Sequence, residues 1–150
     1  AVNVLRHLPP RIKLTVVTHS LPAMVEAAKY DGINLISLGG AFNPATSSFV
    51  GIFAQQALSD LRITKAFLCA TGVTVESGMS NTTFLEAEIK RGVVSHASSV
   101  ILVADSSKLG HDATVTFCRL QDISTFVTDQ KPAPKFVEFC RAHNIRLVWE

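Results

Sequence analysis

Charge is scarce in this chain, cysteines are few, and the familiar motifs of phosphate-loop, nucleophile-elbow and dinucleotide chemistry are missing. Asp, Glu, Lys and Arg make up 17% of the 150 residues, against roughly 25% in ordinary soluble domains. Apolar residues reach 47%. That balance excludes a disordered chain, which needs low hydrophobicity and high net charge, and favours burial on more than one face, in a doubly covered sheet or an oligomer. With 14 basic and 12 acidic residues the net charge is only +2. The basic residues are scattered, so the clustered footprint of a DNA-binding face is not visible in the sequence. Three cysteines, Cys69, Cys118 and Cys140, are odd in number and lack CxxC spacing, which argues against a disulfide framework or a zinc site. Their apolar surroundings suit buried free thiols in a reducing, cytoplasmic compartment. No stretch approaches the roughly 20 apolar residues of a membrane span, and no signal peptide is visible. The five histidines, His7, His19, His96, His111 and His143, show no metal-ligand spacing, and no cofactor is expected. No GxSxG elbow, Walker A loop or GxGxxG fingerprint occurs. The chain opens on Ala1-Val2-Asn3 without an initiator Met and is read as a fragment or a processed product.

The residues that are present alternate between two patterns. Val2 to Leu8 reads as the tail of an amphipathic helix stopped by Pro9-Pro10. Short, continuous apolar runs predict strands at Leu14–Thr18, Leu35–Leu38, Lys65–Ala70, Val100–Ala104, Thr125–Thr128 and Arg146–Trp149, with a further short one within Ala113–Cys118. Helices are predicted from Ser20-Leu21-Pro22 to Ala28, from Val50 to Leu61, from Thr83 to Ala97 and from Pro134 to His143. Asn43–Ser48 and Val75–Thr83 read as loops. Alternating strands and helices, with strands that are apolar throughout, predict one α/β domain built on a mostly parallel sheet covered by helices on both faces.

In open α/β sheets ligands bind beyond the carboxyl ends of the strands. Four such ends carry small or polar residues: Thr18-His19-Ser20, Gly39-Gly40, Thr71-Gly72 and Asp105-Ser106-Ser107-Lys108. Helix N-termini that follow strand ends favour anions, glycine allows close backbone approach, and Lys108 adds a fixed positive charge with three donors. Together they point to a phosphorylated or polyhydroxylated small ligand. Each has a plainer reading beside it. Thr18 and Ser20 suit a helix cap, Gly39-Gly40 and Asp105 suit turns, and Lys108 suits a solvated surface. Glu86 and Glu88 fall early in a helix, where acidic residues suit the dipole, and Glu86 is also placed to meet a sugar hydroxyl.

These segments resemble the DeoR family of bacterial sugar-metabolism repressors. Leu14-Thr15-Val16-Val17-Thr18-His19-Ser20-Leu21 is similar to the family's "TVVTNSL" segment, and Leu38-Gly39-Gly40, Ser48-Phe49-Val50-Gly51 and Lys65-Ala66-Phe67-Leu68 follow in the family's order. Ala70-Thr71-Gly72-Val73 with Gly78 resembles "GADGI…G", Asp105-Ser106-Ser107-Lys108-Leu109-Gly110 resembles "DSSKFG", and Ile123 to Asp129 resembles "IDTVITD". The likeness runs from Leu14 to Val148, and its specificity lies in the ordered set rather than in any single motif.

The resemblance implies a C-terminal effector-binding domain with the fold of ribose-5-phosphate isomerase, glucosamine-6-phosphate deaminase and the CoA transferases. It implies a phosphorylated sugar or sugar catabolite as effector, whose binding relieves repression carried by an N-terminal helix-turn-helix domain that this chain lacks. On that reading the chain is truncated at its N-terminus, is without the fold's first strand, reaches DNA only through the missing domain, has no membrane partner and forms a homo-oligomer. His19 replaces the family's usual Asn, and Thr71 stands where the family has a small residue leading into Asp, which points to an atypical ligand. The expected ligand-binding set is Thr18, Ser20, Gly39, Gly40, Gly72, Glu86, Asp105, Ser107 and Lys108, with Lys108 and Ser107 taking the phosphate or a hydroxyl. No catalytic residue is expected. A sugar-phosphate isomerase or deaminase on the same fold needs a positioned carboxylate, for which only Asp105 and Glu86 offer themselves. An oligomerisation module with a vestigial pocket is the third reading.

Overall fold

The computed structural model describes residues 2–150, and the chain divides after Leu61 into two units. In the first, helix α1 (Val2–Arg6) precedes strand β1 (Leu14–Thr18), helix α2 (Leu21–Ala27) and strand β2 (Ile33–Ser37). β1 and β2 run parallel, with Leu14 opposite Ile33 and Thr18 opposite Ser37. A parallel pair cannot close through a tight turn and needs a crossover, which α2 supplies. Ser20 caps α2 by accepting the Ala23 N–H at 3.4 Å, and a proline lies in the first turn, as the sequence predicts. Leu5, Ala23 and Ala27 form one buried cluster of this unit, with Val16, Ile33 and Leu35 packed against it, and Leu38, Ala54 and Leu58 are buried as well. Buried Glu26 joins the two helices: it accepts from Lys29 at 2.8 Å and lies 3.6 Å from Arg6.

Two details of the first unit differ from the sequence reading. β2 begins at Ile33 rather than Leu35 and ends at Ser37. The Asn43–Ser48 stretch is not simply a loop but closes a hairpin, β3 (Ala41–Asn43) with β4 (Ser48–Val50), in which Phe42 faces Phe49 with ring centres 5.4 Å apart. Aromatic cross-strand pairs stabilise short hairpins. Val50 therefore belongs to a strand, Gly51 turns the chain at φ 106°, and helix α3 runs Ile52–Ser59, inside the predicted Val50–Leu61 span.

The second unit is a mixed α/β assembly. Strands β5 (Ile63–Leu68), β8 (Ala97–Val103), β10 (Thr125–Thr128) and β11 (Arg146–Trp149) form a parallel sheet in the order β11-β10-β8-β5. Helix α4 (Phe84–His96) lies between β5 and β8 in the chain, and α5 (Pro134–Ala142) between β10 and β11. These are four of the six strands expected in one parallel sheet; the other two, β1 and β2, pair with each other in the first unit. Beside the four-stranded sheet stands an antiparallel sheet of β6 (Gly72–Thr74), β7 (Gly78–Asn81) and β9 (Val115–Cys118), in the order β6-β7-β9; of its strands the sequence reading contains β9, within Ala113–Cys118, but neither β6 nor β7. β7 corrects the loop expected over Val75–Thr83. Phe126 and Phe136 meet edge to face at 6.4 Å in the core of this unit, with Leu102, Met79, Ile89 and Leu120 fully buried.

Candidate functional site

The predicted site residues fall into two groups, one in each unit. In the first unit Thr18 and Ser20 flank the exit from β1. The Thr18 hydroxyl accepts the Ser20 N–H at 3.1 Å, and the Thr18 carbonyl accepts the Leu38 N–H at 2.9 Å. The exits of β1 and β2 are thereby held together, and Gly39 and Gly40 follow directly, both exposed. Gly39 has open space where a side chain would stand. Gly40 does not: its φ is 129°, and a Cβ there would lie 2.5 Å from the Val50 carbonyl oxygen, so only glycine fits. The β3–β4 hairpin closes onto the same exit through Leu21 N–H to the Ser47 carbonyl at 2.9 Å and Phe49 N–H to the His19 carbonyl at 2.8 Å. The Ser20 side chain also caps α2.

In the second unit the turn after β8 is tightly organised. Asp105 accepts the Ser107 N–H at 3.0 Å and also the Ser107 hydroxyl, and the Lys108 N–H donates to the Asp105 carbonyl at 3.0 Å. The Ser107 hydroxyl holds the Asp105 carboxyl below its ordinary range, with the Lys108 charge adding to the effect. A residue outside the expected set completes the turn. Asp129, just past the end of neighbouring β10, accepts the Ser106 N–H at 2.6 Å and the Ser106 hydroxyl at 3.2 Å, and Gln130 donates to that hydroxyl at 2.6 Å. The Ser106 N–H is the main reason the Asp129 carboxyl is held below its ordinary range. Its sequence signal was its place at a predicted strand end.

Gly72 is brought to this turn from the other side. The Gly110 N–H donates to the Val73 carbonyl at 2.8 Å, and Val73 bridges to Leu109, so the chain leaving Lys108 lies along β6. A Cβ on Gly72 would fall 2.2 Å from the His111 carbonyl oxygen. The glycine is demanded by the protein's own backbone, whatever else approaches it.

Glu86 is buried in the first turn of α4, whose cap, Thr83, accepts the Glu86 N–H at 3.4 Å. One turn later on the same face stands Lys90, which carries no signal in the sequence that singles it out. It is 9% exposed. Its ammonium donates to the Cys69 carbonyl at 2.7 Å and to Asn81 Oδ1 at 2.8 Å, and lies 5.1 Å from the centre of the Phe117 ring. Burial pulls the Lys90 pKa down, opposed by the charge of Glu86. Among the described residues, no group of three His, Cys, Asp or Glu side chains is gathered to hold a metal ion, and no helix is long and apolar enough to cross a membrane.

Comparison with known proteins shows which family the chain resembles. The family model of the DeoR C-terminal sensor domain matches residues 1–130. The HTH-type transcriptional regulator IolR of Bacillus subtilis is 34% identical over 143 residues, 95% of this chain and 57% of that protein. The lactose phosphotransferase system repressor of Staphylococcus epidermidis is 33% identical over 125 residues, 81% of this chain and 49% of that protein. The HTH-type transcriptional regulator GlpR of Haloferax volcanii is 33% identical over 129 residues, 85% of this chain and 50% of that protein. The chain spans about half the length of the curated relatives it matches.

Proposed function

We propose that this chain, which belongs to the DeoR C-terminal sensor domain family, is the effector-sensing part of a sugar-responsive transcriptional regulator and binds a phosphorylated sugar or sugar catabolite. Binding relieves repression exerted through a helix-turn-helix segment outside these 150 residues, and the regulator works as a homo-oligomer. The observation that carries this reading is the turn Asp105–Lys108. It sits beyond the carboxyl end of β8, is fastened to Asp129 beyond the carboxyl end of β10, and brings a lysine to the position where open α/β sheets take ligands. Lys108 with Ser107 holds the phosphate or a hydroxyl. Within the second unit Gly72 gives backbone contact, and Asp105 and Glu86 accept from sugar hydroxyls. Within the first unit, taken by itself, Gly39 and Gly40 offer backbone and Thr18 and Ser20 offer hydroxyls to a ligand. A relative named as a repressor of the lactose phosphotransferase system supports the sugar class.

The test is thermal unfolding of the intact regulator across free sugars paired with their phosphate esters. A ligand at 100 times its dissociation constant adds about 2.7 kcal/mol when it binds only the folded state. Stabilisation by one ester and not by its free sugar, abolished in Lys108→Ala, is the expected result. Stabilisation by free sugars alone, by no phosphate at all, or undiminished in Lys108→Ala refutes the assignment. Turnover of ribose 5-phosphate or glucosamine 6-phosphate would replace it with an enzyme.

A further inference from the structure

We infer that Lys90 is a positioning residue of the effector site: its buried ammonium ties the exits of β5 and β7 together and supplies the counter-charge that keeps Glu86 an anion. The inference rests on the sensor reading above, because Glu86 is there the acceptor of sugar hydroxyls.

A lysine is almost never buried unless it is paired, since moving an ammonium out of water is costly. The ammonium has three donors. Two are spent on atoms at strand exits. The Cys69 carbonyl lies where β5 gives way to Ala70-Thr71-Gly72, and Asn81 is the last residue of β7, just ahead of the Thr83 cap of α4. One charge thus anchors the backbone leading to Gly72 and the Asn81 side chain at the end of the strand leading to Glu86. The groups facing it from the neighbouring elements are the Cys69 backbone and thiol after β5, Asn81 of β7, the Phe117 ring of β9 and, from its own helix, Glu86. Among the described residues Glu86 is the carboxylate of that set, and at 5% exposure it is itself cut off from water. A buried carboxyl without a nearby cation drifts toward its neutral form and then offers a donor where a sugar hydroxyl needs an acceptor. Fastening the strand exits needs only hydrogen bonds; holding Glu86 ionised needs the charge.

The experiment reads the charge directly. The carboxyl carbon of Glu86 is followed by NMR through a pH titration in the wild-type chain, in Lys90→Met and in Lys90→Arg. The expected result is a Glu86 midpoint raised by about one pH unit or more in Lys90→Met and returned toward wild type in Lys90→Arg. An unchanged midpoint in Lys90→Met, or no recovery with arginine, overturns the inference. If Lys90→Met does not fold, the reciprocal measurement decides: in Glu86→Gln the Lys90 Nζ midpoint is expected to fall by a similar amount, and an unmoved midpoint overturns the inference. Any sugar phosphate that stabilises the wild-type protein is expected to bind the methionine variant roughly tenfold or more weakly and the arginine variant nearly normally, whereas equal binding overturns it. If no sugar phosphate stabilises the wild type, the sensor reading fails, and the titrations still settle whether Lys90 controls Glu86.

Discussion

Replacing Gly72 by alanine separates two reasons for a glycine at a strand exit, approach by a ligand and approach by the protein's own chain. An alanine Cβ at Gly72 would stand 2.2 Å from the His111 carbonyl oxygen, 3.0 Å from its carbon and 3.1 Å from the Ala113 nitrogen, where ordinary contact begins at 3.4 Å. All three obstacles are backbone, and that backbone is pinned: the Ala113 N–H donates to Ser80 Oγ at 2.8 Å and the Gly110 N–H to the Val73 carbonyl at 2.8 Å. Overpacking typically costs about 1–3 kcal/mol, and the loss of unfolded-chain freedom on Gly→Ala returns about 0.4–1 kcal/mol. With rigid neighbours the upper half of the first range applies, leaving a net loss of about 2 kcal/mol. At about 4–8 °C per kcal/mol for a unit of this size, the melting temperature falls by about 8–16 °C. Gly39→Ala is the control, since nothing lies within 4 Å of its Cβ position, and it should be neutral or stabilise by up to about 1 kcal/mol. Urea unfolding followed by the fluorescence of Trp149, the single tryptophan and part of the second unit, reads the Gly72 effect; circular dichroism reads both. A Gly72→Ala protein as stable as wild type, or a Gly39→Ala protein equally damaged, would refute the packing argument.

Two further outcomes follow from the charges and thiols. The Asp105 and Asp129 carboxyls are held low by Ser107 and Ser106. A depressed folded value gives stability that is present above the ordinary carboxylate midpoint of about 3.9 and lost as pH falls through the lower folded one. Melting temperatures measured from about pH 6 downward should therefore drop less steeply below about pH 4 in an Asp105→Asn, Asp129→Asn double variant than in wild type; parallel curves would count against the hydrogen bonds as the cause. Burial pushes the Cys118 thiol up to about 11, and Cys140 is also buried and raised. Alkylation of the native chain at about pH 8, mapped by peptide mass spectrometry, should mark partly accessible Cys69 first, and Cys118 labelling at the same rate would contradict its placement.

What the sequence disclosed was set by how local the cause is. β1, β10, β11 and α4 were legible because their apolar runs, spacing and caps are properties of consecutive residues. β7 was not, since Gly78-Met79-Ser80-Asn81 carries neither alternation nor β-branching. It is a strand because β6 and β9 flank it, and its serine is tolerated at 0% exposure because Ser80 Oγ donates to the Gly72 carbonyl and accepts the Ala113 N–H. The hairpin of β3 and β4 was hidden by the polar turn that joins its strands. In the site, Lys108 and Asp105 stood out by position at a strand end. Lys90 did not, because a lysine beside an arginine on an amphipathic helix reads as a solvent face, and only the tertiary placement of Cys69 and Asn81 buries it.

The strand order of the parallel sheet bears on how the chain is made. β5, β8, β10 and β11 stand side by side in the order in which they leave the ribosome, and the intervening β6, β7 and β9 are set aside in a sheet of their own. Each parallel strand thus finds its neighbour already synthesised and never waits for a later one to open a place between two earlier ones. During translation, where domains fold as units in N-to-C order, this sheet grows outward from one edge, and the growing edge is always the newest strand. Phe136 of α5 then meets Phe126 of β10 edge to face, so a helix made after the strand it packs on adds its ring to the core.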